Sequence, residues 1–140
     1  MSADKEIPFE WPVRVYYEDT DAQGVVYYAN YFRFLERART EWLRSLGVDM
    51  VEMMDEDRRI FVVAEVQARF LAPARLSDQL IVTARLQKLT RVSFDIEQNI
   101  YRGTLDDPPL IEATVKAAYL DADTMRPKRI PPSLFGEHKS

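Results

Sequence analysis

The chain has 140 residues, 46% of them hydrophobic and 30% charged, which fits one domain around a single sizeable core. Its 19 basic residues are interleaved with 23 acidic ones for a net charge of −4, which gives no general attraction to a polyanion, and nucleic acid is not an expected partner. There is no cysteine, and the one histidine, His138, stands in a polar tail where disorder is expected; disulfides, thiolate metal sites, cysteine nucleophiles and Ser-His-Asp catalysis are thereby set aside, and proton transfer falls to a carboxylate, tyrosine or lysine.

The first residues lack the apolar core of a signal peptide and no run of about 18 apolar residues occurs, so a cytoplasmic protein without membrane insertion is expected. Val13, Val15 and Tyr17 alternate with Arg14, Tyr16 and Glu18, the period of a strand with one buried face, ending at Asp19. The acidic turn Glu18-Asp19-Thr20-Asp21 and Gly24 follow. From Tyr31, apolar residues recur at helical spacing through Leu35, Ala38, Trp42 and Leu46, and Phe32, Phe34 and Leu43 widen the stripe, so this helix should be covered on more than one side. Gly47 is placed to end it, with Arg44 opposing the dipole in the last turn, and Asn30 reads as a cap at its start.

Residues 49–59 are polar and read as a loop or short helix with Asp55, Glu56 and Asp57 exposed. Three strands are then predicted over residues 60–71, 79–89 and 92–100, from valine and phenylalanine enrichment and period-two alternation. The GTLDDPP turn at 103–109 leads to a fifth, marked by Ile111, Ala113, Val115, Ala117 and Tyr119, and Pro127, Pro131 and Pro132 stop regular structure before the tail. The ordered core is expected over about residues 11–132, in the order β-α-β-β-β-β, an α+β layer fold. One helix covers only part of five strands, leaving an apolar edge or face for a partner subunit.

Within residues 13–43 a carboxylate and a helix N-terminus come close together, so a base and an oxyanion site can lie side by side. This stretch closely resembles the hotdog-fold thioesterases of the 4-hydroxybenzoyl-CoA thioesterase family, most of all the YbgC-type acyl-CoA thioesterases associated with the Tol-Pal system. The matching residues are WPVRVYYEDTD at 11–21, GVVY at 24–27, Ala29, Tyr31, ERARTE at 36–41, APARL at 72–76 and Asp78. The resemblance implies a hotdog fold, one long helix wrapped by an antiparallel sheet, in a homodimer or a tetramer built from dimers with active sites at the dimer interface. It implies hydrolysis of a small or medium acyl-CoA or acyl-carrier-protein thioester, with coenzyme A as part of the substrate and no other cofactor.

By the same resemblance Asp21 is the catalytic aspartate, acting as nucleophile or as general base for water, the Tyr28 backbone N–H meets the oxyanion, and Gly24 turns the chain tightly beside the substrate. Lys88, Thr90 and Arg91 are implied phosphate contacts for coenzyme A, with residues 126–129 (RPKR) adding another from a neighbouring subunit. YbgC-type members commonly carry histidine where Tyr28 stands, and a glycine is common where Gln23 stands.

Read without the resemblance, Asp21 is first a turn or N-cap residue, and Glu18 and Asp19 are solvated or ion-paired. The tyrosines at 16, 17, 27, 28 and 31 read as core or rim residues, with at most two in the acyl channel. Glu36 and Glu41 alternating with Arg37 and Arg39 suggest an ion-paired helix face, and Glu65 points to solvent or to an arginine across an interface. Two other functions fit the fold: a hydratase of 2-enoyl thioesters, which the missing histidine disfavours, and a non-catalytic acyl or carrier-protein binding module.

Overall fold

The computed structural model describes residues 8–135, so His138 lies outside the described residues. The strands are β1 (Phe9–Arg14), β2 (Arg59–Phe70), β3 (Gln79–Leu89), β4 (Ser93–Arg102) and β5 (Ile111–Asp121), and the helices α1 (Tyr28–Ser45) and α2 (Met50–Glu52). The sheet is antiparallel in the order β1-β3-β4-β5-β2, which makes β1 and β2 its edges. This is the expected architecture of one long helix against five antiparallel strands.

Alternation builds the sheet. Leu80, Val82, Ala84 and Leu86 of β3, Phe94, Ile96 and Ile100 of β4, and Ile111, Ala113, Val115, Ala117 and Tyr119 of β5 are all buried on the inner face. Against them α1 packs Tyr31, Phe34, Leu35, Ala38, Trp42 and Leu43, and Ala38, fully buried, lets the helix approach closely. Gln98 is the polar residue at this seam. It is fully buried and fully used, its Nε2 donating to the Leu35 carbonyl (3.0 Å) while its Oε1 accepts from Arg39 (3.1 Å).

Four expectations need correction. The first strand begins and ends earlier than the alternation suggests, because the Asp19 carboxylate accepts the Tyr16 N–H (2.9 Å) and folds residues 17–19 into a 3-10 turn. The helix starts at Tyr28, three residues before its first buried position, and Asn30 lies inside its first turn; the Asn30 side chain donates to the Asp19 carbonyl (2.8 Å) and ties the acidic turn to the helix. Arg39 does not join a salt-bridged outer face, since it turns inward to Gln98, whereas Glu41 does pair with Arg44 (2.6 Å). Of the five tyrosines only Tyr31 is buried, and the other four are more than half exposed.

Gly47 ends α1 with φ +92°. Its N–H reaches the Arg44 carbonyl and the Val48 N–H reaches Leu43, the paired bonds of a Schellman cap, and Val48 and Leu43 are buried in one cluster. Residues 49–57 form α2, capped by the Asp49 side chain on the Val51 and Glu52 N–H groups, and then a π turn. Regular structure stops near Pro131 and Pro132, but the chain folds back so that Phe135 is buried against Trp42 and Phe94.

Candidate active site

Asp21 sits in a loop that is built by hydrogen bonds at each step. Its N–H donates to the Val25 carbonyl (2.9 Å), its carbonyl accepts the Gly24 N–H (3.0 Å), and its Oδ1 accepts the Gln23 N–H (2.8 Å) and, at longer range, the Val25 N–H (3.4 Å). Gly24 has φ +79° with no heavy atom within 4 Å of where a Cβ would stand, so the glycine serves the backbone angle rather than a close approach. The turn reading of Asp21 therefore holds, and it is compatible with chemistry, because only one carboxylate oxygen takes part in the turn.

The same loop hands the chain to α1. The Tyr27 N–H bonds the Asp19 carbonyl (3.2 Å) and the Asn30 N–H bonds Tyr27 (2.9 Å). Tyr28 is the first helical residue, so the helix offers its N–H no acceptor and its amide carries the positive end of the dipole. On the other side, the Val26 N–H bonds the Ala74 carbonyl (2.9 Å) and Val25 pairs with Arg75. The Ala74 N–H in turn donates to the Tyr31 hydroxyl (2.9 Å), so α1, the Asp21 loop and the segment after β2 are tied into one unit. Burial holds the Tyr31 phenol above its ordinary pKa, opposed by that amide, and it stays neutral at pH 7.

Between these elements lies a cavity of about 470 Å³. Asp21, Val25 and Val26 form one wall, Tyr27, Tyr28 and Tyr31 a second, and residues 70–73 a third. Three tyrosines line it, one more than expected. The Tyr28 ring leans on Phe70, with centroids 5.1 Å apart, so its phenol is part of an aromatic wall. The wall from Phe70 to Pro73 was not singled out from the sequence, although the APARL match beginning at Ala72 is a signal for it.

Lys88, Thr90 and Arg91 are not part of this cavity. They lie at the far end of β3, an 11-residue strand that spans about 35 Å, while the Asp21 loop sits near its start, where Arg14 pairs with Gln79. The Thr90 hydroxyl is engaged in its own turn, accepting the Ser93 N–H (3.0 Å) and lying 2.8 Å from the Ser93 hydroxyl. Arg91 has basic company within its own chain. Its carbonyl accepts the Ile130 N–H (2.7 Å), which draws Lys128 and Arg129 to the same end of the sheet. One chain thus brings Asp21, Gly24 and Tyr28 together and holds the basic residues apart from them.

A long helix cradled by a five-stranded antiparallel sheet, with a carboxylate turn at the helix start, defines a hotdog-fold protein of the thioesterase type. Residues 15–136 match the model of the Thioesterase-like superfamily, and the chain belongs to that family. It is 42% identical to the acyl-CoA thioesterase YbgC of Haemophilus influenzae over 88% of each chain. It is also 42% identical to the acyl-CoA thioester hydrolase YbgC of Escherichia coli O6:H1, over 94% of this chain and 96% of that one. Among solved structures, a probable thioesterase from Bartonella henselae superposes with a TM-score of 0.82 at 32% identity, covering 89% of this chain and all of that one. No helix among the described residues is long and apolar enough to cross a membrane.

Proposed function

We propose that this chain hydrolyses acyl-CoA thioesters, with Asp21 as the reactive carboxylate and the Tyr28 N–H as the oxyanion donor. The observation that carries the reading is that Asp21 and Tyr28, the first residue of α1, line one apolar-walled cavity. With Asp21 as base, it takes a proton from water as the water oxygen bonds to the thioester carbon, and the carbonyl electrons move onto oxygen opposite the Tyr28 N–H. When the C=O re-forms, the C–S bond breaks, the thiolate leaves and takes up a proton, and the acid and free thiol are released. With Asp21 as nucleophile, a carboxylate oxygen bonds to the thioester carbon with the same donor on the oxyanion, the C–S bond breaks and the thiolate leaves and takes up a proton, and water opens the resulting anhydride to free the acid and Asp21.

The reading extends to two copies. β2 is a 12-residue edge strand whose stretch 63–67 is exposed, and an open edge of that length invites pairing. It runs from Arg59, beside Asp121 at the basic end of the sheet, to Phe70 at the cavity. Antiparallel pairing of β2 with β2 of a second copy then brings the basic end of each chain toward the cavity of the other. Lys88 and Arg91, with Lys128 and Arg129, would hold the phosphates of coenzyme A there, and Thr90 would shape the turn that presents them. A homodimer is the smallest competent unit, and a tetramer would be a pair of such dimers. A carrier-protein thioester fits the same chemistry without using the full set of basic contacts. The YbgC resemblance adds a cytoplasmic location and a place beside the Tol-Pal system.

Free thiol release across straight-chain and aromatic acyl-CoA substrates tests the reading directly. The unaltered chain should release thiol, and Asp21→Asn should lower kcat by at least about 100-fold. Near-normal turnover of every thioester by the variant would overturn the mechanism; enoyl hydration without thiol release, or tight carrier-protein binding without turnover, would overturn the activity.

A further inference from the structure

Two cavities share the inner side of β2, and a pair of phenylalanines stands between them. The Asp21 cavity ends on Phe70, whose ring touches Tyr28 (5.1 Å between centroids) and Tyr31 (5.8 Å). Beyond it, a groove of about 360 Å³ runs between α1 and β2, walled by Ala29, Phe32, Leu35, Val63, Val66 and Val115. Arg33, Glu36 and Arg39 contribute to it along the helix. Phe32 belongs to the groove and Phe70 to the cavity, and the two rings meet edge to face at 6.4 Å and 89°.

Resting on the thioesterase reading above, we propose that Phe70, backed by Phe32, sets the acyl length this site accepts. The contact is a partition. A short acyl group fits beside Tyr28 and Tyr31 with its carbonyl between Asp21 and the Tyr28 N–H. A longer chain meets the face of Phe70, while the groove whose Leu35, Val63, Val66 and Val115 would pack its distal methylenes lies on the other side. Each added methylene placed in such a groove favours binding substantially, so opening the partition converts a steric limit into added affinity. Phe70 and Phe32 are each about two-fifths exposed and neither belongs to the buried core, so truncating them alters the space without dismantling the fold.

The test is thiol release by the full chain and its Phe70→Ala, Phe70→Leu and Phe32→Ala variants on acetyl-, butyryl-, hexanoyl-, octanoyl- and decanoyl-CoA, with melting temperature and molecular mass checked for each. Phe70→Ala is expected to raise the octanoyl-to-butyryl ratio of kcat/KM by at least about tenfold, chiefly through a lower KM for the longer thioester. Phe70→Leu and Phe32→Ala should move the ratio the same way by less. A ratio unchanged within about twofold in both Phe70 variants would overturn the inference, and is the result a second copy packed into the groove would give. Absence of thiol release by the unaltered chain would overturn the thioesterase reading itself, and this inference with it, so the two failures are told apart.

Discussion

The role proposed for Tyr28 belongs to its backbone, and that makes it separable from its side chain. As the first residue of α1 it occupies the helical position where proline is favoured, and Tyr27 before it has φ −70° and ψ 141°, a conformation proline accepts in its neighbour. Tyr28→Pro should therefore remove the oxyanion N–H while α1 forms, lowering kcat by about 100-fold or more with little change in melting temperature. Tyr28→Ala, which removes the ring and keeps the N–H, is the control and should lose far less. A Tyr28→Pro enzyme as active as Tyr28→Ala would exclude the amide from the reaction. At this scale the sequence was readable where chemistry is local, as with Asp21 for a turn. The choice of Asp21 over Glu18 and Asp19 came from resemblance, and the opposite wall at residues 70–73 was hidden because only the fold brings it across some 50 residues of chain.

The end of α1 is a self-contained device whose loss can be measured. Gly47 at φ +92° has nothing within 4 Å of a Cβ position, so Gly47→Ala tests backbone conformation alone. It should cost about 1 kcal/mol and lower the melting temperature by about 3 °C, with thiol release unaffected below that temperature. The elements most readable in advance were those with a single buried face: β3 falls on its expected residues because Leu80, Val82, Ala84 and Leu86 alternate without interruption. The first strand was misplaced because alternation continues through Tyr17, while the backbone has already been turned by the Asp19 carboxylate and leaves Tyr17 81% exposed. Arg39 was misassigned for a related reason. Helical spacing says which side a residue is on, but not that a buried glutamine 59 residues further along the chain supplies its acceptor.

For the whole molecule, β strands could be counted from the sequence but not ordered. That β2 lies at an edge beside β5, with the last three strands between it and β1, depends on long-range pairing that no local pattern encodes. The edge leads to a prediction about assembly. The chain should elute and sediment at two or four times its 16.4 kDa mass. Ala64 is the extra residue where the register between β2 and β5 slips, and bulges are among the few places in a sheet that accept proline. Ala64→Pro should leave the monomer folded, block pairing along β2 and reduce both the mass and the thiol release. A dimer of full activity in this variant would place the interface elsewhere.

The distance along β3 between Asp21 and Arg91 has a genetic counterpart. If each working site draws its carboxylate from one chain and its phosphate grip from the other, two inactive proteins can repair each other. An Asp21→Asn chain and a Lys88→Ala, Arg91→Ala chain, each nearly silent alone, should on unfolding and refolding together recover about a quarter of the wild-type sites, since half of the random dimers are mixed and each holds one intact pair. Simple averaging of the two inactive preparations would instead mean that every chain carries its whole site within itself.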